Sequence, residues 1–364
     1  MDNSTGSHLL QMCMVACIHM QPFINRIYHL GESLFQTKND ASPVTLADTI
    51  VQSLVRKLLL PFVDHYIGEE PDEYDFDHPT VTDQELNKEI MKAYDEICAL
   101  TTQCKYTEEF RTCKFVAIID PIDGTREFTT KKGQESTICI GFARKEDTTE
   151  KYVPYAGLIF RPIYREVNVQ EQPEYAMGCF SEGFRCDTLS RNAYGPMKIL
   201  TSNGILSSFV QEVCSSGYVQ VCSGGCGNKT LLLLEGKGDI YIQDRGVSRW
   251  DTCAAQAILE AYEGGLWKLT DLLESNAYKK YDYRVTDVNM DPNPIARFGK
   301  MNMKAIVQEK LDTKIGEEIT LVKPYSNLCG LVALPYRIKS DTYRMNALYE
   351  ILQSVFQKNL PIYN

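Results

Sequence analysis

The sequence predicts an α+β first half built on an antiparallel sheet and an α/β second half. Three patterns predict it. Helical stripes occupy the first hundred residues. β-type runs then crowd between residues 115 and 184 with connections too short for crossovers, so neighbouring strands should be antiparallel. From Met197 onward, short strands alternate with helical runs, which is the α/β pattern.

In chain order, Leu9 to Met20 is apolar but too short to span a bilayer, and no basic segment precedes it, so it reads as a core helix rather than a membrane anchor or signal peptide. Val44 to Phe62 carries Leu46, Ile50, Val51, Leu54, Val55, Leu58 and Leu59 at helical spacing, with Asp48 at the edge of the stripe. An acidic stretch begins at Pro71 and leads into a helix expected from Asp83 to Leu100. Strands are expected at Phe115–Ile119, Ser136–Arg144, Val153–Phe160, Arg165–Gln170 and Gly178–Phe184. The second half should hold strands at Met197–Thr201, Tyr218–Cys222 and Asp239–Ile242, and helices at Lys229–Leu234 and Thr252–Tyr262. Glu274 to Glu318 lacks periodicity and reads as loop-rich. Asn327–Leu334 reads as a strand, and Asp341 should cap a final amphipathic helix.

A chain of 364 residues with 44% apolar content can bury a large core, and two joined domains are expected, 1–195 and 196–364. The formal net charge of -10 argues against broad neutralisation of a nucleic-acid backbone, so neither a nucleic acid nor a membrane is expected as a partner. The 13 cysteines are scattered singly, many within apolar runs and without zinc-like spacing; they read as buried thiols of a reducing cytosol, and a cytoplasmic location is expected.

The strongest chemical signal is Asp120-Pro121-Ile122-Asp123-Gly124-Thr125, directly after an apolar strand. Pro121 fixes one φ and keeps Asp120 extended, so the chain can curl and aim Asp120, the Ile122 carbonyl and Asp123 at one point. Converging hard oxygens suit Mg²⁺. Gly124 allows close backbone approach, and Thr125 offers a hydroxyl for an attacking water. Either dipeptide alone would read as an ordinary turn. Gly68-Glu69-Glu70 is weaker, since paired acids are usually solvated, but Glu69 could serve a cation and Glu70 orient a water. Asp251 opens a helix, where it could be a plain N-cap or a metal ligand. Gly224-Gly225-Cys226-Gly227-Asn228-Lys229 links a strand to a helix; such a turn can cradle an anion with its N–H groups, and Lys229 can neutralise a second phosphate. If these acids converge, their repulsion raises pKa values in an empty site and divalent ions remove that cost. On repulsion alone, Asp123→Asn should abolish turnover and leave metal-free stability unchanged or raised.

These elements, in this order and starting from Val44-Thr45-Leu46-Ala47-Asp48, resemble the lithium-sensitive, magnesium-dependent phosphatase superfamily that includes inositol monophosphatase, inositol polyphosphate 1-phosphatase and 3'(2'),5'-bisphosphate nucleotidase. The resemblance implies a layered αβαβα sandwich of the inositol monophosphatase-like, sugar phosphatase type. It implies Glu69, Asp120 and the Ile122 carbonyl as ligands of one Mg²⁺, and Asp120, Asp123 and Asp251 as ligands of another, on the order of two or three ions in all, with inhibition by Li⁺. Asp48 and Thr125 would activate the water, helped by Glu70, while Gly124 and Thr125 hold the scissile phosphate. Gly225, Lys229, Asp244, Ser202, Asn203 and Arg249 are the candidates for the rest of a small phosphorylated substrate. Residues 238–242 and 250–259 resemble the inositol polyphosphate 1-phosphatases, favouring a substrate such as inositol 1,4-bisphosphate. Residues 225–229, 235–237 and 123–128 resemble the bisphosphate nucleotidases, so adenosine 3',5'-bisphosphate or a dual activity is the alternative, and a catalytically silent metabolite-binding scaffold is the non-enzyme one.

Overall fold

The computed structural model describes residues 4–31, 35–37, 43–71, 73–103, 115–146, 151–163, 174–180, 183–186, 195–204, 206–243, 247–285, 325–327 and 330–358. The expected strand at Arg165–Gln170, Asp244 and residues 286–318 of the aperiodic segment lie outside them. The chain forms two compact units: 1–188 with 224–231 and 250–262, and 189–223 with 232–249 and 263–364.

The first unit begins with α1 (Ser4–Leu30), β1 (Phe35–Thr37), β2 (Pro43–Thr45), α2 (Leu46–Leu59), β3 (His65–Gly68) and α3 (Gln84–Gln103). It continues with β4 (Phe115–Asp123), the single turn α4 (Thr125–Thr129), β5 (Thr137–Lys145), β6 (Tyr152–Arg161), β7 (Glu174–Cys179) and β8 (Gly183–Cys186). The expected core helix is longer than its apolar run, because its buried polar residues find partners: Asn25 donates to Gln21 O and to Pro162 O at 2.8 and 2.7 Å. The sheet order is β3-β4-β5-β6-β7-β8, antiparallel from β4 onward as the short connections require. Two features differ from the sequence reading. Short β3 pairs parallel to β4 at the sheet edge. The run Gly178–Phe184 is no single strand: β7 ends at Cys179 and β8 starts at Gly183, whose φ is 98°.

Later in the chain come β9 (Lys198–Thr201), α5 (Ser208–Ser215), β10 (Val219–Cys222), α6 (Cys226–Leu234), β11 (Ile240–Gln243), β12 (Val247–Ser248) and α7 (Arg249–Ala261). They are followed by β13 (Gly265–Lys268), α8 (Leu269–Ser275), β14 (Ser326–Asn327), β15 (Leu331–Leu334), α9 (Tyr336–Lys339) and α10 (Thr342–Gln357). The second unit carries the sheet β10-β9-β11-β15-β13, parallel on the β10-β9-β11 side and antiparallel around β15. Asp341 caps α10 as expected, accepting from Arg344 N at 3.1 Å. Helix α5 was not legible in the sequence: it is short and serine-rich, and Ser207 caps it through Val210 N. The strand read over Asn327–Leu334 is divided between β14 and β15.

In the first unit α1, α2 and α3 share one core with alternate residues of β4, β5 and β6, including Phe115, Ala117, Ile119, Ile140, Phe142, Leu158 and Phe160. The other face receives α7 along a row of glycines paired across β5, β6 and β7: Gly141, Gly157 and Gly178. A Cβ on Gly157 would stand 2.5 Å from Ala254 O and 2.8 Å from its Cα, so only glycine lets the helix backbone come this close. Among the described residues no helix is long and apolar enough to cross a membrane.

Candidate active site

The site is set by a bulge. Along β4, Asp120 pairs with Cys139 and Asp123 with Thr137, so three steps on one strand match two on the other. A regular strand would send residues three apart to opposite faces; the extra residue at Pro121-Ile122 returns both carboxylates to one side. The six-residue motif therefore works through register as well as through the proline. Asp251, in the first turn of α7, joins them, and one oxygen from each of Asp120, Asp123 and Asp251 lies within 4.8 Å of the others. The helix starts two residues before Asp251, which is thus not its N-cap.

The carboxylates are not equivalent. Asp120 is buried, and among the described residues its Oδ1 has no hydrogen-bond partner. Burial, then the charges of Glu69, Asp123 and Asp251, hold its pKa well above the usual carboxylate range. An orphaned buried carboxylate oxygen facing two more acids is what a hard divalent cation requires, so the residues present fit Mg²⁺. Asp123 is the opposite case. Its Oδ1 accepts from Cys226 N at 3.0 Å; its Oδ2 accepts from Gly227 N at 2.6 Å and from Thr137 Oγ1 at 3.1 Å. The glycine-rich turn does cradle an anion with its N–H groups, but that anion is Asp123 itself.

Asp48 lies in the first turn of α2, fully buried. Its Oδ2 accepts from Thr45 N at 2.8 Å and Thr45 Oγ1 at 2.5 Å, while its Oδ1 is 3.3 Å from Thr125 Oγ1. Burial raises its pKa to about 7, with Glu70 and Glu69 adding to the shift and the Thr45 bonds opposing it. Thr125 Oγ1 is also 3.0 Å from Ile122 O. Glu69 follows the end of β3, where its N–H donates to Ile119 O at 3.2 Å, and Glu70 is buried beside it. Gly124 holds φ 86° ahead of α4, whose single turn gives only a small dipole for a phosphate.

The substrate candidates fare differently. Gly225, at φ 59°, packs against Asp123: a Cβ there would lie 2.9 Å from Asp123 Oδ2. Lys229 is only 2% exposed, and its charge faces Asp123, Glu127 and Asp251. Burial pushes its ammonium pKa down, and those acids oppose the shift. Arg249 is likewise buried, stacked 5.6 Å from the Tyr325 ring centroid and donating to Arg284 O, all within the second unit. Ser202 and Asn203 follow β9 in that unit, and Asp244 lies outside the described residues. Sequence reasoning missed Thr137, which bonds Asp123, and Gln52, which binds the backbone of Glu70. A signal existed for the latter: Gln52 stands one helical turn after Asp48, a polar residue within an apolar stripe.

Raised carboxylate pKa values are statements about stability. In Asp48 the folded state holds its proton up to about 7 against an ordinary 3.8, so its stabilising contribution is complete below 3.8 and is lost as pH rises through about 7. Asp120 and Asp123 shift in the same direction. The metal-free protein should therefore melt at a lower temperature at about pH 8 than at about pH 5.5, and added Mg²⁺ should flatten the slope. Thermal melts in EDTA and in Mg²⁺ check this; a melting temperature that climbs with pH in EDTA would contradict it.

Comparison with known proteins gives a consistent picture. The model of the inositol monophosphatase family matches residues 28–308. A 3'(2'),5'-bisphosphate nucleotidase 1 from Mus musculus is 29% identical over 290 residues, covering 76% of this chain and 83% of the relative. An inositol polyphosphate 1-phosphatase from Homo sapiens is 33% identical over 103 residues, covering 26% of this chain and 25% of the relative. Among solved structures, an IMPase/NADP phosphatase complexed with NADP and Ca²⁺ superposes with a TM-score of 0.54 at 13% identity, covering 97% of each chain. An inositol monophosphatase from Anabaena (Nostoc) sp. PCC 7120 gives 0.50 at 14% identity, covering 98% of this chain and 96% of that one. These two likenesses concern the fold alone.

Proposed function

This chain belongs to the inositol monophosphatase family, a family of magnesium-dependent phosphatases, and from that premise we propose that it hydrolyses one phosphate of a small bisphosphorylated metabolite, a nucleoside 3',5'-bisphosphate ahead of an inositol polyphosphate. It has that family's layered α/β fold and is a phosphoric monoester hydrolase. The observation that carries the chemistry is the partnerless Asp120 Oδ1 within the Asp120, Asp123 and Asp251 cluster.

In this reading Glu69, Asp120, the Ile122 carbonyl, Asp123 and Asp251 hold on the order of two or three Mg²⁺ ions. Bound Mg²⁺ supplies positive charge that acidifies an attacking water and offsets charge on the phosphate oxygens. The chain's own residues do the rest. Asp48 Oδ1, with Thr125 Oγ1 at 3.3 Å, accepts the proton released as water attacks, and a pKa raised to about 7 suits that exchange near neutrality. Glu70 orients the water, and the backbone at Gly124 and Thr125 positions the phosphate. Lys229 opposes the charge of Asp123, so the acids stay together without metal. Li⁺ inhibition belongs to the same proposal, as does a cytosolic location, which the buried free thiols Cys13, Cys17 and Cys253 support.

Extent of similarity supports the nucleotide: the nucleotidase relative runs through most of both chains, the 1-phosphatase relative through about a quarter. The second reading, inositol 1,4-bisphosphate, is supported by the higher identity of that shorter match, 33%. Steady-state kinetics with Mg²⁺ on adenosine 3',5'-bisphosphate and inositol 1,4-bisphosphate should favour the nucleotide in kcat/KM by about tenfold or more, a difference of about 1.4 kcal/mol in transition-state binding. A ratio favouring the inositol substrate reverses the order, and loss of neither activity in LiCl removes lithium from the proposal.

A further inference from the structure

We propose that Gln52 is a positioning residue for catalysis: its side-chain amide stands in for a missing β-strand and thereby fixes Glu69 at the cation site. The parallel ladder between β3 and β4 stops at Gly68, which pairs with Ile119. Beyond it Glu69 N still reaches Ile119 O, at 3.2 Å, on the β4 side, whereas the N–H and C=O of Glu70 turn to the opposite edge of β3, where among the described residues the sheet has no further strand. Gln52 meets Glu70 on that outer edge. Its Nε2 donates to Glu70 O at 2.5 Å and its Oε1 accepts from Glu70 N at 2.8 Å, so one amide satisfies both backbone groups of one residue, as a neighbouring strand would.

The arrangement is built for that contact. Gln52 is 4% exposed, and Glu70 is 7% exposed, so neither Glu70 backbone bond is readily replaced by water. A Cβ on Gly68 would fall 2.3 Å from Gln52 Oε1 and 2.5 Å from its Cδ, so a larger residue there would push the amide off Glu70. Tyr66, on β3, donates its hydroxyl to the Gln52 carbonyl at 3.2 Å, a second tie between α2 and the strand. Gln52 lies four residues after Asp48, so both project from one face of α2. One rigid helix therefore indexes the proposed base and the turn carrying Glu69, which is held between the Ile119 bond on one side and the Gln52 bonds on the other.

The proposal rests on Glu69 being a cation ligand, and the test separates the two. Mn²⁺ binding to the metal-free protein is titrated by EPR of the free ion, alongside the Mg²⁺ dependence of turnover, in the wild type, Gln52→Met, Gln52→Asn, Glu69→Gln and Val55→Ala. Gln52→Met and Gln52→Asn should each weaken Mn²⁺ binding, and raise the Mg²⁺ concentration for half-maximal rate, by about tenfold or more, the effect expected of a residue that orients a ligand. The rate at saturating Mg²⁺ should stay within about threefold of wild type. Val55→Ala removes buried volume from the same helix and should lower the melting temperature without moving either constant. Gln52→Asn keeps the amide and shortens its reach, so it serves if Gln52→Met fails to fold. If Glu69→Gln weakens Mn²⁺ binding while a folded Gln52 variant leaves it unchanged, the positioning role is overturned and the ligand stands. If Glu69→Gln has no effect on Mn²⁺, the ligand assignment falls first and the positioning role with it.

Discussion

Asp120→Asn should cut turnover by at least about 10³-fold, the scale of losing a principal electrostatic contribution, while making the metal-free protein more stable. Asp123→Asn should lose both activity and stability. The difference follows from what each carboxylate touches. Asp120 has a buried oxygen without a partner and stands among Glu69, Asp123 and Asp251, so in EDTA it is a strained acid. A neutral amide there relieves repulsion, a gain on the order of 1 kcal/mol near pH 8, where the carboxylate is most heavily penalised.

Repulsion alone forecasts the same gain for Asp123→Asn, and the hydrogen bonds reverse it. Both Asp123 oxygens accept from backbone N–H groups, those of Cys226 and Gly227. An asparagine turns an NH₂ group toward one of them, leaving a buried donor unmet at about 1–3 kcal/mol. Its charge also answers that of Lys229, which is lost in the variant. Phosphate release in Mg²⁺ and thermal melts in EDTA read both effects. Stabilisation of both variants would mean that charge repulsion outweighs the cradle; wild-type turnover by Asp120→Asn would remove the cluster from catalysis altogether.

How far the sequence carried the fold depended on whether a signal was local. The apolar stripe of α2, the antiparallel β4-to-β7 succession and the capped α10 are all local patterns, and the structure has them. The carboxylates of the Asp-Pro-Ile-Asp motif were legible for the same reason, since the motif contains its own bulge. The burial of Lys229 was not: a glycine-rich turn before a lysine does not reveal in sequence that the turn's N–H groups close on Asp123. Thr137 acts across 14 residues on a group that carries no pattern of its own, so only register exposes it, whereas Gln52 was marked as a polar residue in an apolar stripe but its partner, the backbone of Glu70, was not. The break in Gly178–Phe184 was hidden because the run was read whole, although Ser181-Glu182-Gly183 between its apolar residues is a turn-type composition.

The glycine row makes the link between fold and chemistry testable far from the carboxylates. Gly157→Ala should destabilise the protein by about 3 kcal/mol, the upper end of the cost of overpacking, because the added methyl meets Ala254 O at 2.5 Å, Ala254 Cα at 2.8 Å and Ala254 C at 3.0 Å. Backbone atoms of a packed helix cannot yield as a side-chain tip does. Relief requires α7 to lift from the sheet, and α7 carries Asp251 in its first turn, so the variant should also need more Mg²⁺ for half-maximal rate. Gly141 and Gly178 flank the same groove: a Cβ at Gly141 would lie 2.7 Å from Ala254 N and Cys253 Cβ, and one at Gly178 2.9 Å from Ala261 Cβ and 3.0 Å from Ile258 Cα, so alanine should cost less at Gly178, where the overlaps are smaller. Gly204→Ala, where nothing lies within 4 Å, is the neutral comparison. Denaturant unfolding and Mg²⁺ titration measure the two consequences. Should Gly157→Ala unfold within about 0.5 kcal/mol of wild type, the size of an ordinary surface change, α7 is not seated in the groove and the placement of Asp251 beside Asp120 loses its structural cause.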